Sequence, residues 1–251
     1  MIIGKSGCGK TTLLINLFLR PGRLDYNNTN IFGQSLYQLE YHILKKAFEE
    51  KLPKEVLIRL FENQNEITDL GISPILIVEE MAKDIRDKSN VVCNIYQSAE
   101  DVPGPRELSS EKKNLMVFDD LLLEKPNTCE SYYVRGRHSN FYCFYLAQNY
   151  FKLPRQTIRE TANFICLFPQ DLKNLNHIFD DHVGSDMTTE EFRQLCKTAW
   201  EKQYGFIIID LSSKKHDGKY ISGFDKFYIS NYIQKYYYFL ITKCRIFLDK
   251  L

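Results

Sequence analysis

A segment near the start of the chain has the residue types and the spacing that bind a phosphate chain. Gly4 to Thr11 reads G-x-x-x-x-G-K-T, the P-loop pattern, in which backbone N–H groups surround phosphate oxygens. Glycines permit the dihedral angles of such a loop and leave no side chain in the ligand's way. Lys10 is predicted to reach the β- and γ-phosphates, and the Thr11 hydroxyl to bind Mg²⁺. The predicted nucleotide-binding residues are Gly4, Lys5, Ser6, Gly7, Cys8, Gly9, Lys10, Thr11 and Thr12.

The residues on either side of this loop supply the elements that must position it. Met1-Ile2-Ile3 is typical of the end of an apolar strand, and residues 12–19 are apolar enough for a buried helix. The N–H groups and the dipole at the start of that helix favour an anion. Only three residues precede Gly4, which is short for a central strand. We therefore expect the first strand to be truncated.

Two adjacent carboxylates end a second apolar segment, Asn114 to Asp120. Such a run is typical of a buried parallel strand. On a strand beside the P-loop strand, Asp119 would lie near the Mg²⁺ of a bound nucleotide, and Asp120 would orient or deprotonate the attacking water. A strand followed by a capped turn gives the same pattern. The P-loop upstream favours the Mg²⁺ site.

A third apolar run, Phe141 to Ala147, is closed by Gln148. A glutamine at this position can contact the γ-phosphate or the lytic water, or it can simply be a polar strand end. Apolar strands alternating with helical segments predict an α/β fold with a mainly parallel sheet covered on both faces.

The remaining segments give a coarse element prediction. Further strands are predicted at Val91–Tyr96, Asn163–Phe168 and Phe206–Asp210, and Ile31-Phe32 is expected to end a short strand after a turn at Asp25–Asn30. Helices are predicted at Ser35–Glu50, Pro53–Asn63, Pro74–Arg86 and Thr188–Trp200, with a helix start at Leu153–Arg159 and a loop at Glu124–Tyr133. Thr188 and Glu191 form the pattern of a capping box.

Composition sets broad limits on function. The 251 residues carry a net charge of +1, so no global basic signature indicates nucleic acid, although a local basic lining is compatible with neutrality. Basic residues of the predicted helices at 35–63 suit either a DNA path or, preferably, a solvated face shared with glutamates.

Seven dispersed cysteines without a C-x-x-C pair predict reduced thiols in an intracellular protein. The longest apolar run, Tyr236 to Ile241, is too short to cross a membrane.

Several of these segments together resemble one family. They are Gly4–Thr11, Leu115–Asp120, Arg135-Gly136-Arg137-His138, Leu146–Pro154 (which contains Tyr-Phe-Lys-Leu-Pro) and Ile158-Arg159. The combination resembles the poxvirus-type genome-packaging ATPases of the FtsK–HerA superfamily of P-loop motors. The sequence looks most like the copies carried by Maverick/Polinton transposons. The resemblance covers residues 1–228 and implies an ATPase domain at 1–229, followed by an aromatic-rich tail at 230–251.

The resemblance implies a fold, a reaction and partners. The fold is a RecA-like, additional-strand (ASCE) P-loop NTPase, in which the strand ending at Gln148 separates the Asp119 strand from the P-loop strand. The implied activity is ATP hydrolysis with Mg²⁺ by a homo-oligomeric ring that moves double-stranded DNA into a capsid, with a capsid or portal protein as a further partner. Lys10 and Thr11 match the P-loop pair, Asp119 the Mg²⁺ carboxylate, Asp120 the catalytic acid and Gln148 the sensor.

A ring of this kind also implies an arginine that completes the neighbouring subunit's site. Arg137, Arg135 and Arg159 are the candidates, and each is equally explained as a surface or phosphate-contacting arginine. A P-loop kinase, with these arginines and Arg155 as a lid, is one alternative. A non-hydrolysing nucleotide-binding remnant is another. A GTPase is disfavoured because no N/T-K-x-D segment follows the Asp119 strand.

Overall fold

The computed structural model describes residues 1–20, 23–33, 36–109, 111–121, 127–135, 141–224 and 226–228. They form two compact units. Residues 1–10 and the described residues from 145 onward make the first unit, and the described residues between 11 and 144 make the second. The predicted tail at 230–251 lies outside the described residues, and the predicted single ATPase domain at 1–229 stays a prediction.

Strands and helices alternate through the described residues. The strands are β1 (Ile2–Ile3), β2 (Asn28–Gly33), β3 (Val92–Tyr96), β4 (Asn114–Asp119), β5 (Phe141–Ala147), β6 (Phe164–Leu167), β7 (Ile207–Asp210), β8 (Tyr220–Ser222) and β9 (Lys226–Tyr228). The α-helices are α1 (Lys10–Leu19), α2 (Leu39–Glu49), α3 (Lys54–Glu62), α4 (Gln64–Asp69), α5 (Pro74–Asp84), α6 (Asn127–Arg135), α7 (Leu172–His182) and α8 (Thr189–Ala199). A π-helix turn spans Arg155–Arg159 and a 3₁₀ turn spans Lys215–Asp217.

In the second unit the strand order is β3-β2-β4-β5, with β2 parallel to both β3 and β4. Every residue of β4 is buried. Because successive side chains of a strand point to opposite faces, burial along its whole length means that both faces of the sheet are covered here. The continuous apolar run from Leu115 to Phe118 is the sequence pattern expected of a strand that is buried on both faces. The register pairs Gly33 of β2 with Asp119 of β4.

In the first unit the order continues from the last residues of β5 as β5-β1-β6-β7-β8-β9. Strand β1 is parallel to both neighbours, and Ile2 pairs with Leu146 on one side and with Cys166 on the other. Strands β7, β8 and β9 are added antiparallel. The fold is therefore a mainly parallel α/β sheet with an antiparallel edge.

Strand β5 is the neighbour of β4 in the second unit and of β1 in the first. The expected ASCE order, with the strand before Gln148 between the Asp119 strand and the P-loop strand, is confirmed. The simpler expectation that the Asp119 strand lies directly beside the P-loop strand is wrong. Both strands instead take a partner in β5.

Several predicted boundaries are corrected. Residues 127–133 of the predicted loop belong to helix α6, because Cys129 and Tyr132 are buried and Tyr132 packs its ring against Phe118 and Phe141. Strand β2 begins at Asn28, inside the predicted turn, and α2 begins at Leu39. Helices α4 and α7 and strands β8 and β9 were not predicted, and the helix start at Leu153–Arg159 is the π-helix turn.

The predicted capping box of α8 is confirmed, with the Glu191 N–H donating to Thr188 Oγ1 and the Thr188 N–H to Glu191 Oε2. Six cysteines of the described residues are in no disulfide. Among the helices of the described residues, none has the length and apolarity to span a membrane.

Candidate nucleotide-binding site

The P-loop leaves β1 at a point where backbone and side chains are crowded. The Gly4 N–H donates to the Ala147 carbonyl at 2.9 Å, which continues the pairing of β1 with β5. A Cβ on Gly4 would lie 2.4 Å from Cys8 Sγ and 2.7 Å from Phe168 Cβ. The first glycine of the pattern is therefore required by close packing against the loop and the end of β6.

The rest of the loop has the backbone form and exposure of a binding loop. Gly9 has φ +103°, a left-handed conformation that side chains rarely adopt. Lys5, Ser6 and Gly7 are exposed, and α1 begins at Lys10 directly after them. The loop thus presents accessible backbone at a helix N-terminus, where an anion is favoured.

Lys10 bends back over the loop that precedes it. Its ammonium donates to the Gly4 carbonyl at 2.7 Å and to the Lys5 carbonyl at 3.0 Å. A triphosphate needs both a cation and backbone N–H donors around it. Its oxygens accept stronger, charge-assisted hydrogen bonds from an ammonium than the two carbonyls do. The residues present therefore fit a nucleoside triphosphate.

In the second unit the two predicted Mg²⁺ ligands meet at one tyrosine. The Tyr41 hydroxyl donates to Asp119 Oδ2 at 2.6 Å and lies near the Thr11 side chain. Thr11 Oγ1 donates to Gln38 Oε1 at 3.4 Å. Burial, and then the negative charge of Asp119, raise the pKa of Tyr41, so its hydroxyl stays protonated and remains a donor. The structure brings Thr11 and Asp119 to one place.

The donor set around Tyr41 suits a hard cation. A threonine hydroxyl and a carboxylate are oxygen ligands of the kind that Mg²⁺ prefers, and Mg²⁺ sites usually use one or two carboxylates with water and substrate phosphates. One hydroxyl and one carboxylate leave the remaining ligand positions to water and phosphate oxygens, so the arrangement fits a metal that arrives with a nucleotide. Within the described residues no group of three or more His, Cys, Asp or Glu side chains that could hold a metal is found.

Asp120 follows β4 in a strained backbone conformation. Its φ is +53°, in the left-handed region that aspartate tolerates better than most residues. Conformations of this kind cluster at active sites, where the surrounding structure maintains them. The neighbouring strand approaches closely, since a Cβ on Gly33 would lie 2.8 Å from the Asp119 carbonyl oxygen.

Gln148 lies where β5 ends, at the same edge of the first unit as the P-loop. Ala147, the residue before it, pairs with Ile3, and its carbonyl accepts from the Gly4 N–H. The Gln148 side chain is exposed. Its position beside the start of the P-loop is the one that the sequence predicted, and its role stays a prediction.

The candidate arginines have different surroundings. Arg159 is 8% exposed, and its guanidinium donates to Asp181 Oδ2 at 2.6 Å. That buried ion pair disfavours Arg159 as a residue that reaches a neighbouring subunit. Arg137 lies outside the described residues, and Arg135 is the last residue of α6. The catalytic prediction for Arg137 therefore stays a prediction.

Sequence reasoning missed Tyr41 and Gln38 as site residues. Both come from the start of α2 and the turn before it, 27 residues or more from Thr11 in the chain. Tyr41 lies in the predicted helix at Ser35–Glu50 and is fully buried. The one available signal was a tyrosine, which needs a hydrogen-bond partner when buried, among otherwise apolar positions of that helix.

Comparisons with known proteins find similarity at the level of solved structures. No model of a known protein family matches the chain, and no curated protein matches its sequence. The genome-packaging NTPase B204 from Sulfolobus turreted icosahedral virus 2, in complex with AMP, is 13% identical, with 84% of this chain and 91% of that chain covered and a TM-score of 0.46.

Two other structures are similar to the same extent. The DNA-packaging ATPase B204 from Sulfolobus turreted icosahedral virus is 16% identical, with 84% and 91% of the two chains covered and a TM-score of 0.46. VirB4 of Thermoanaerobacter pseudethanolicus is 10% identical, with 92% and 89% covered and a TM-score of 0.48. Similarity this low says nothing about what this chain does.

Proposed function

We propose that this chain is an ATP-hydrolysing, DNA-translocating motor that packages double-stranded viral or transposon DNA into a capsid. The observation that carries the hydrolase part is the Tyr41 hydroxyl, which donates to the Asp119 carboxylate and lies near Thr11, the last residue of the P-loop motif. A chance glycine-rich turn would not bring a carboxylate from a distant strand to the threonine that ends the motif.

The proposed roles follow from the position of each group. The loop backbone from Gly4 to Thr12 and the Lys10 ammonium bind the phosphates, and Lys10 neutralises charge that develops on them. A Mg²⁺ ion held by Thr11 and Asp119 would supply further charge neutralisation.

Two further groups are proposed to act on the attacking water. Asp120, fixed by its left-handed backbone, orients that water and accepts its proton. Gln148 contacts the γ-phosphate or the water.

The motor part of the proposal has a separate support. It follows from the likeness of Arg135–His138 and Leu146–Pro154 to the packaging ATPases, including the transposon-borne copies. The motor proposal includes a homo-oligomeric ring and a capsid or portal protein as partner. It also assigns Arg137 as the residue that completes the site of the neighbouring subunit. An intracellular location belongs to the same proposal.

Arg159 weighs against a small-substrate kinase. A kinase lid needs mobile, accessible arginines, whereas Arg159 is buried and paired with Asp181 at 2.6 Å. The non-hydrolysing remnant differs from the motor only in turnover, which a direct assay decides.

Lys10→Ala tests the hydrolase proposal. We expect ATP hydrolysis to fall by about 100-fold or more, because the ammonium that neutralises the transferring phosphate is lost. Lys112→Ala, which removes an exposed lysine just before β4, is the matched control and should hydrolyse ATP at the wild-type rate. Wild-type turnover in Lys10→Ala would exclude the P-loop as the catalytic site.

A further inference from the structure

Tyr204 combines exposure with backbone strain. It lies in the loop between α8 and β7, its side chain is 61% exposed, and its φ is +57°. A bulky aromatic residue in the left-handed region is an outlier, and such outliers concentrate at ligand-binding positions. Within the residues that the structure describes, the Tyr204 hydroxyl has no hydrogen-bond partner.

The loop around Tyr204 is fixed on both sides. Trp200, just after α8, donates from its indole N–H to the Leu167 carbonyl at 3.0 Å and so attaches the loop to the end of β6. The Gly205 N–H donates to the Lys202 carbonyl at 2.8 Å. A Cβ on Gly205 would lie 2.3 Å from the Ala199 carbonyl, so the chain passes too close to α8 for any other residue. These contacts maintain the conformation that exposes the Tyr204 ring.

That ring borders the P-loop. The position that a Cβ on Gly9 would occupy is 3.5 Å from Tyr204 Cδ1 and 3.7 Å from Phe168 Cε1. Phe168 is 1% exposed, and its N–H donates to the Ile3 carbonyl at 2.8 Å, so it is part of the core under the loop. Tyr204 is the exposed aromatic of the pair, and it lies on the β6–β7 side of β1, whereas Gln148 follows β5 on the other side.

We propose that Tyr204 is the platform on which the base of the bound nucleotide stacks. The inference rests on the proposed nucleotide binding and adds the subsite for the base. A triphosphate bound by the P-loop carries its base outside the loop, where an exposed aromatic face can cover one side of it. Stacking of a base on an aromatic side chain accepts any base, because every base has a π-face. The subsite therefore binds the base of a nucleotide by stacking and gives little discrimination between bases.

The test compares ATP with tripolyphosphate, which has the phosphates but no base. Tyr204→Asn removes the ring and keeps a residue that tolerates the left-handed backbone. We expect its ATP affinity to fall by roughly tenfold, the size of one base–aromatic stack, with its tripolyphosphate affinity unchanged. Tyr204→Phe should bind both ligands as the wild type does. Leu70→Asn, at a residue that is 74% exposed in the second unit, is the control for loss of an exposed apolar side chain.

The outcomes separate this inference from the proposed function. If the wild type binds neither ligand, nucleotide binding itself is wrong. If it binds both, and Tyr204→Asn loses neither or loses both equally, the base does not stack on Tyr204.

Tyr204→Trp gives a second readout that does not depend on the stability of the asparagine variant. Its added fluorescence should be quenched by saturating ATP and unaffected by tripolyphosphate. Absence of quenching by ATP would overturn the inference.

Discussion

The hydroxyl of Tyr41 is the atom on which the predicted metal ligands converge. It is buried, it donates to Asp119 at 2.6 Å, and it lies near the Thr11 side chain. A hydrogen bond of this kind fixes the carboxylate's orientation before a metal arrives. Partners that orient a ligating carboxylate typically account for a factor of about 10 to 100 in metal affinity or activity.

Tyr41→Phe removes that hydrogen bond and leaves the ring in place. We expect the Mg²⁺ concentration needed for half-maximal ATP binding to rise about tenfold, with Mg²⁺-free nucleotide binding little changed. Titration of Mg²⁺ against a fluorescent ATP analogue measures both quantities.

Tyr26→Phe is the matched control for that substitution. Tyr26 is another buried tyrosine of the second unit, and its hydroxyl donates to the Phe18 carbonyl at 2.7 Å. Its substitution removes a buried hydrogen bond away from Thr11 and Asp119. An equal Mg²⁺ requirement in the two variants would show that Tyr41 does not orient Asp119 for the metal.

At the scale of elements, Asp181 joins α7 to the segment that follows β5. It accepts from Arg159 of the π-helix turn at 2.6 Å and from the Tyr150 hydroxyl at 2.9 Å, and the Arg159 guanidinium lies 5.1 Å from the Tyr150 ring. Tyr150 comes two residues after Gln148. The network therefore holds the segment that carries the predicted sensor against a helix of the same unit.

Arg159→Leu breaks this network and leaves the Asp181 carboxylate, which is 16% exposed, without its main partner. Such a loss typically destabilises a protein by about 3–5 kcal/mol, and we expect a decrease of that order in the free energy of unfolding. Arg155→Leu should cost no more than about 1 kcal/mol, because Arg155 is 65% exposed and 3.8 Å from the same carboxylate. Urea denaturation of both variants checks the difference, and equal stabilities would contradict it.

The sequence predicts an element when the residues that stabilise it lie within the element itself, and it fails when they come from other parts of the fold. Strands β4, β5 and β6 were predicted because burial on both faces produces a continuous apolar run, and β4 and β6 are buried throughout and β5 over its last four residues. Helix α6 was missed because its stability comes from Tyr132 packing between rings from β4 and β5, which no local pattern shows. Strands β8 and β9 were missed because each has only three residues and therefore shows no long apolar run. They lie at the antiparallel edge of the sheet.

The same distinction applies to the residues of the candidate site. The P-loop and the carboxylate pair are contiguous motifs, so sequence reasoning could predict roles for Lys10, Thr11, Asp119 and Asp120. Tyr41 and Tyr204 were missed because each reaches its partners only through the fold. The register of β2 against β4 is the clearest example of a contact made only by the fold. It pairs Gly33 with Asp119, and no rule of sequence spacing relates these two residues.

At the scale of the whole molecule, a net charge of +1 means that any DNA path must be local. Two of the basic side chains on α2 are already paired. Lys46 lies 3.0 Å from Glu50 and 3.1 Å from Glu79, and Lys45 lies 4.0 Å from Glu49. These contacts favour the solvated-face interpretation of that helix over the DNA-path interpretation.

The measurement that tests the central claim most directly is the ATPase rate with and without double-stranded DNA, for the wild type and for Asp120→Asn. Asparagine tolerates the left-handed backbone at this position but cannot accept the proton from water. We predict hydrolysis that DNA stimulates in the wild type and a rate at least about 100-fold lower in Asp120→Asn. ATP binding without hydrolysis in the wild type, or equal rates in the two proteins, would contradict the motor.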